Sequence, residues 1–136
     1  MSLSTPNILL YAIAAAAFAI YVPYLLVAYG RFVSDFDLAA PRAMFDRLPP
    51  YAQRATWAHQ NSFETFMPFA AAALMAYVTS VTSPYAAYAA IAFVIARLLF
   101  SLFYILNVPP LRSLMFGVGS AATVTLFALS FTAIAS

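Results

Sequence analysis

Residues 54 to 69 read RATWAHQNSFETFMPF, placing Arg54, His59, Gln60, Asn61 and Glu64 inside a stretch otherwise apolar enough to cross a membrane. A charge in hydrocarbon costs at least roughly 2.5–3.5 kcal/mol on insertion scales, so an intramembrane carboxylate needs a partner or a polar pocket. At 100° per residue, Arg54, Trp57, Asn61, Glu64 and Pro68 fall within an arc of about 80°. They form one stripe, with Gln60 on its edge and His59 pointing almost the opposite way. Pro68 cannot donate to the carbonyl of Glu64, which ends the stripe with a freed acceptor and an expected kink. A later apolar segment repeats the device, with Arg97, Ser101 and Tyr104 within about 60° of one another. Glu64 lies ten residues inward from Arg54, and Arg97 ten residues inward from Asn107. At ~1.5 Å per residue both sit ~15 Å from the same membrane face. The matched depth predicts a Glu64–Arg97 pair lining a polar cleft rimmed by Arg54, Tyr104 and Arg112.

The donors in this set outnumber its acids. Arg54, Arg97, Arg112, Asn61 and Tyr104 share only Glu64 as an acid, which suits an anionic polar ligand. The same groups could instead only join helices, at about 0.6 kcal/mol per intramembrane hydrogen bond. His59 reads as a packing or interfacial residue, since no second histidine exists to complete a bis-His site. With no cysteine there is no disulfide, thiol nucleophile or thiolate metal site, and no metal is expected. Any sulfur chemistry must use a substrate's thiol.

These residues require membrane helices to position them. Of the 136 residues, 65% are hydrophobic and 7% charged, against roughly 25% charged in a soluble domain. This is the composition of an all-α integral membrane protein, one domain over residues 1–136. There is room for about four spans of ~20 residues each. Apolar runs cover about Ile8 to Tyr29, Arg54 to Thr79, Tyr85 to Val108 and Leu111 to Ala135. Between the first two, the polar segment Gly30 to Gln53 holds Arg31, Asp35, Asp37, Arg42, Asp46 and Arg47. SVTSP forms an uncharged turn, and NVPPLR breaks the chain because its prolines supply no backbone donors. Continuous Ala/Leu-rich runs argue against the alternating ~10-residue strands of a barrel. The pattern predicts a four-transmembrane-helix bundle, with AIAAAAFAI giving its first helix a small-residue face for close approach. The opening stretch lacks a basic n-region and runs on too long for a signal peptide, so it is expected to remain as a helix. All six basic residues are arginines and three lie in the 30–53 loop, whereas SVTSP has none. The positive-inside rule therefore puts the 30–53 loop in the cytoplasm and both termini outside. A net charge of +2 gives no reason to expect nucleic acid.

NSFETFMPF after RATWAHQ, then ARLLFSLFY and PPLRS, resemble the MAPEG family, the membrane-associated proteins in eicosanoid and glutathione metabolism. The resemblance covers four helices, the charged first loop, Asn-x-x-Glu, an Arg and Tyr seven apart, and Pro-x-Arg-Ser opening the fourth helix. It implies a homotrimer that binds glutathione between neighbouring subunits near the cytoplasmic face and uses it on lipophilic electrophiles. By position it implies ligand-binding roles for Asn61, Glu64, Arg97, Tyr104 and Arg112, with Glu64 taking the ligand's amino group; Arg54 and Gln60, on the stripe and its edge, complete the candidate ligand-binding set. Two positions depart from the family pattern and make the chain resemble its divergent prokaryotic members, which implies a bacterial inner membrane. Trp57 stands where eukaryotic enzymes place an arginine ahead of the Asn, and Phe116 where several carry an Arg or Tyr near the thiol.

A glutathione thiol becomes a good nucleophile once a cation or donor stabilises its thiolate. With Phe116 unable to do so, Arg112, Ser113 and Tyr104 are the catalytic candidates, offering one charge and two hydroxyl donors. Two readings follow: a glutathione-dependent membrane transferase or peroxidase, or a non-catalytic trimer keeping the polar cluster for assembly, lipid or partner binding.

Overall fold

The computed structural model describes residues 4–135; Met1–Leu3 and Ser136, which the single-domain reading includes, lie outside the described residues. Five α-helices follow one another: α1 (Thr5–Ala19), α2 (Val22–Phe32), α3 (Pro50–Val78), α4 (Pro84–Ile105) and α5 (Pro109–Ala135), with a 3-10 helix at Pro41–Arg47. Prolines punctuate the chain. Of the nine, only Pro68 lies inside a helix; the others stand at or just before a first turn. A first-turn proline gives up an N–H that has no intrahelical partner anyway, and its fixed φ suits the helix. The C-terminal stops are equally local. Asp35, Ser80 and Asn107 adopt positive φ just beyond α2, α3 and α4. After α3 and α4, the N–H groups of Val81 and Val108 reach back to the carbonyls of Ala76 and Phe103, closing each helix with a left-handed residue.

Two expectations need correction. The first apolar run is not one helix: it breaks at Ile20 and Tyr21, because Pro23 has no N–H to offer the carbonyl of Ala19. The polar segment is not an open loop. α2 continues to Phe32, the 3-10 helix folds back and buries its Met44, and α3 starts at Pro50, four residues before the expected boundary. Asp37 holds that fold by accepting from the N–H groups of Ala39 and Ala40. The third run likewise ends at Ile105, short of Val108.

Among the described residues, three stretches are long and apolar enough to cross a membrane: Thr5–Phe32 with its break, Pro84–Ile105 and Pro109–Ala135. α3 is long enough at 29 residues but carries the polar stripe, which lowers its hydropathy. It runs through Pro68 without interruption.

The helices pack through small residues. Ala72, Ala73 and Ala76 of α3 meet Ala86, Ala89 and Ala90 of α4 and Ala12 and Ala16 of α1 in one buried cluster. Phe69 and Phe93 stack face to face across α3 and α4, centroids 3.7 Å apart. A second cluster, Val27, Leu48, Ala52 and Ala55, packs α2 and the 3-10 segment onto the start of α3. The stretch of α3 between these clusters carries the polar stripe, so dry packing on either side holds it in place.

Candidate functional site

On that stretch, Trp57, Asn61, Glu64 and Pro68 face outward beside α4 and α5. Trp57, Gln60, Asn61 and Glu64 line a cleft of about 370 Å³ with Tyr104 of α4. Asn61 and Glu64 also line a second cleft of about 460 Å³, continued by Thr65, Pro68, Phe93, Arg97 and the α5 face from Phe116 to Phe127. Both volumes lie in the range of small-molecule sites, ~300–1,000 Å³.

Glu64 and Arg97 do not pair directly. Arg97 is 4% exposed and donates from Nη2 to Asn61 Oδ1 at 2.9 Å and to Ser62 Oγ at 3.4 Å. Asn61 Nδ2 in turn donates to Glu64 Oε2 at 3.4 Å. The amide therefore stands between the two charges. Asn61 lies almost a full turn before Glu64, so Arg97 meets it first as it crosses from α4. Ser62, whose own hydroxyl donates to Ala58, was absent from the sequence-derived set. Arg97 also lies over the Phe100 ring at 4.1 Å, a cation–π contact that partly compensates its desolvation. Its Nε and the Ser101 hydroxyl remain buried without a partner. The consequence for Glu64 is geometric: its carboxylate, open to both clefts, has no cation in direct contact.

The remaining candidates separate. Arg54 donates from Nε to the carbonyl of Ile105 at 2.8 Å, tying α3 to the C-terminal end of α4, and lines neither cleft. This is favourable capping of an orphan carbonyl by a cation. The Arg112 guanidinium lies over the Tyr104 ring at 4.6 Å but, like Arg54, lines neither cleft. Trp57 packs against Tyr104 and Phe45. Phe116 lines the larger cleft, whereas Ser113 is exposed and lines neither within one chain.

Sequence reasoning missed a basic cleft on the other side of α3. Tyr24, Arg31, Arg42, Thr56, His59, Gln60 and Phe63 enclose about 420 Å³, and no acid is among them. Arg31 Nη1 reaches the Tyr24 hydroxyl at 3.5 Å while its buried Nε has no partner. His59 Nδ1 donates to the carbonyl of Ile20 at 2.7 Å, at the break between α1 and α2. Tyr21, Tyr24 and Phe63 surround its ring. His59 is thus a packing residue, but one that also caps a broken helix and borders a cationic cavity. Its position opposite the stripe was legible; the return of Arg42 through the 3-10 segment was not. Among the described residues, no group of three or more His, Cys, Asp or Glu converges in a way that could hold a metal.

The MAPEG family model matches residues 8–132, nearly the whole chain. The chain belongs to the MAPEG family. No individual curated protein and no solved structure matches it significantly. With its apolar spans, membership makes this an integral membrane protein.

Proposed function

We propose that this MAPEG protein is a glutathione-dependent transferase or peroxidase acting on lipophilic electrophiles, and that it works as a homotrimer of four-span subunits. The observation that carries this reading is the uncompensated Glu64 carboxylate, held by Asn61 at the meeting point of the two clefts. Glutathione offers one ammonium, two carboxylates and a thiol. Glu64 suits the ammonium. No guanidinium lines the polar cleft to meet the carboxylates: Arg97 is buried against Asn61 on the larger cleft, and Arg112 lies over the Tyr104 ring. Arg31, with its unpartnered Nε, and Arg42 suit them, but they stand across α3. Gln60 lines both cavities. We infer that the ligand lies at a subunit junction, with its ammonium on the acidic cleft of one subunit and its carboxylates on the basic cleft of the neighbour.

In this arrangement the polar cleft orients the thiol near Tyr104 and Arg112. The Tyr104 hydroxyl and the Arg112 charge stabilise the thiolate, and Ser113 joins them only if assembly turns it inward. Stabilisation made mainly in the transition state raises turnover more than affinity. The second reading, a non-catalytic trimer, is favoured by Phe116, which puts a ring on the cleft wall.

The sole tryptophan, Trp57, lines the polar cleft, so its fluorescence reports binding there. Titrating glutathione into the purified protein should change that fluorescence saturably, and Arg112→Ala should weaken binding and lower turnover. A Phe116→Arg variant should raise transfer to chlorodinitrobenzene. If the parent neither binds nor turns over, and a folded Phe116→Arg protein stays inert, the non-catalytic reading replaces the enzymatic one.

A further inference from the structure

The basic cleft opposite the polar stripe contains the chain's sole histidine, and one hydrogen bond decides what that residue can offer there. His59 Nδ1 lies 2.7 Å from the carbonyl oxygen of Ile20. A carbonyl oxygen only accepts, so the proton of this contact belongs to Nδ1. In a neutral imidazole one nitrogen donates and the other accepts, which makes Nε2 the bare one. The acceptor is fixed, since Ile20 is backbone at the end of α1. Tyr21, Tyr24 and Phe63 pack round the ring and resist a flip that would exchange its nitrogens. The charged groups lining the cleft, Arg31 and Arg42, are both positive. With Tyr21 and Tyr24 they are the titratable groups that face the ring. Such a cleft suits an oxyanion, whose lone pairs need donors. The two guanidinium groups supply them, whereas a bare Nε2 sets its own lone pair against the anion's. Only the protonated ring turns that nitrogen into a further donor.

We propose that the basic cleft is a proton-linked oxyanion site, in which the anion is seated together with a proton on His59 Nε2. That the oxyanion is a carboxylate of glutathione rests on the glutathione reading; the linkage itself rests on the pinned ring. The proton comes from solvent, and no covalent bond between heavy atoms changes. Because the bound state holds one proton more than the free state, binding is stronger at low pH and weakens as pH rises. The thiol end of glutathione acts in the opposite sense, since forming the thiolate releases a proton. Uptake at His59 offsets that release, so glutathione should bind with little net proton change. S-Methylglutathione, with the same ammonium and carboxylates but no thiol proton, should bind with net uptake.

Because the chain has one histidine, labelling histidine with a heavy nitrogen isotope gives a single pair of ring signals by NMR. In the purified protein without ligand, at the alkaline end of the histidine range near about pH 8, Nδ1 should carry the proton and Nε2 none. At a fixed pH within that range, about 5 to 8, saturating sulfate should move the Nε2 signal toward the protonated position. Sulfate has no proton of its own to give there. S-Methylglutathione should do the same, and its affinity should weaken by up to about tenfold per pH unit. His59→Asn, whose side-chain N–H can still meet the Ile20 carbonyl, should flatten that pH profile. Arg42→Gln should weaken sulfate binding without changing the tautomer of the free ring. A free ring with its proton on Nε2, or an Nε2 signal that neither anion moves, overturns the proposal. Saturable S-methylglutathione binding, read from Trp57 fluorescence, that leaves the His59 signals in place also overturns it and keeps the glutathione reading intact. A shift with sulfate but no binding of S-methylglutathione supports the proton-linked site and overturns the glutathione reading.

Discussion

Asn61 does the work that a direct ion pair would otherwise do. It accepts from the buried Arg97 through Oδ1 and donates to the cleft-exposed Glu64 through Nδ2, so the two charges are linked but neither neutralises the other. The melting behaviour should reveal this arrangement. Glu64→Gln removes a charge that is open to a cleft and should cost less than about 1 kcal/mol. A direct buried pair would lose ~3–5 kcal/mol from the same change. Asn61→Ala deprives a buried guanidinium of its shortest acceptor and should cost about 1–3 kcal/mol. Thermal unfolding of both variants in one detergent checks the ranking. Binding should invert it: Glu64→Gln, nearly as stable as the parent, should bind glutathione at least about tenfold more weakly, the equivalent of ~1.4 kcal/mol. A Glu64→Gln protein that melts far below Asn61→Ala would show that the carboxylate is Arg97's partner after all.

At the scale of the helices, Gly30 sets how closely α2 approaches α3. A Cβ built there would stand 2.5 Å from the Ala52 Cβ, inside the second apolar cluster. Both atoms sit on rigid helix backbone, so neither can swing aside. Gly30→Ala should therefore push the helices apart at a cost of about 1–3 kcal/mol, as overpacking of a tight interface does. Since Arg31 follows Gly30 directly, the basic cleft should distort with it. Ala52→Gly removes the opposing methyl, and the double variant should recover most of the lost stability. Losses that simply add would show that the contact is not shared. Elsewhere in the bundle Gly117 has open space around its position, and Gly119 would bring a Cβ only into ordinary contact with Phe93 and Arg97.

At the scale of the molecule, whether α3 crosses the membrane decides how the clefts are oriented. The absence of cysteine makes this testable with single introduced thiols. Leu38, 83% exposed, follows α2, and the exposed Thr82 lies in the turn after α3. On the four-span topology, an impermeant maleimide should label Thr82→Cys in intact cells and Leu38→Cys only from the cytoplasmic side. Labelling of both from one side would mean that α3 does not span. Native mass spectrometry should then give three copies, with Glu64 shielded from lipid in the assembly. A monomer that still binds glutathione would remove the reason for joining the acidic and basic halves across subunits.

The helical architecture and the polar stripe were legible in the sequence because both depend on local periodicity. Apolar runs, first-turn prolines and the 3.6-residue repeat act within a few turns of one chain. They place Trp57, Asn61, Glu64 and Pro68 on one face whatever that face meets. The break at Ile20 escaped notice because Pro23 lies within an unbroken apolar run, where hydropathy carries no signal of it. Partners across helices were decided only by the tertiary structure. Depth arithmetic brought Arg97 near Glu64 to within a turn, but a turn is the difference between a carboxylate and the Asn61 amide. The basic cleft of Arg31, Arg42, His59 and Gln60 joins residues from α2, the 3-10 helix and α3, and only the fold-back of the 3-10 segment brings Arg42 to it. Contacts between residues far apart in the chain depend on where whole helices stand, and side-chain periodicity within each helix carries no record of that.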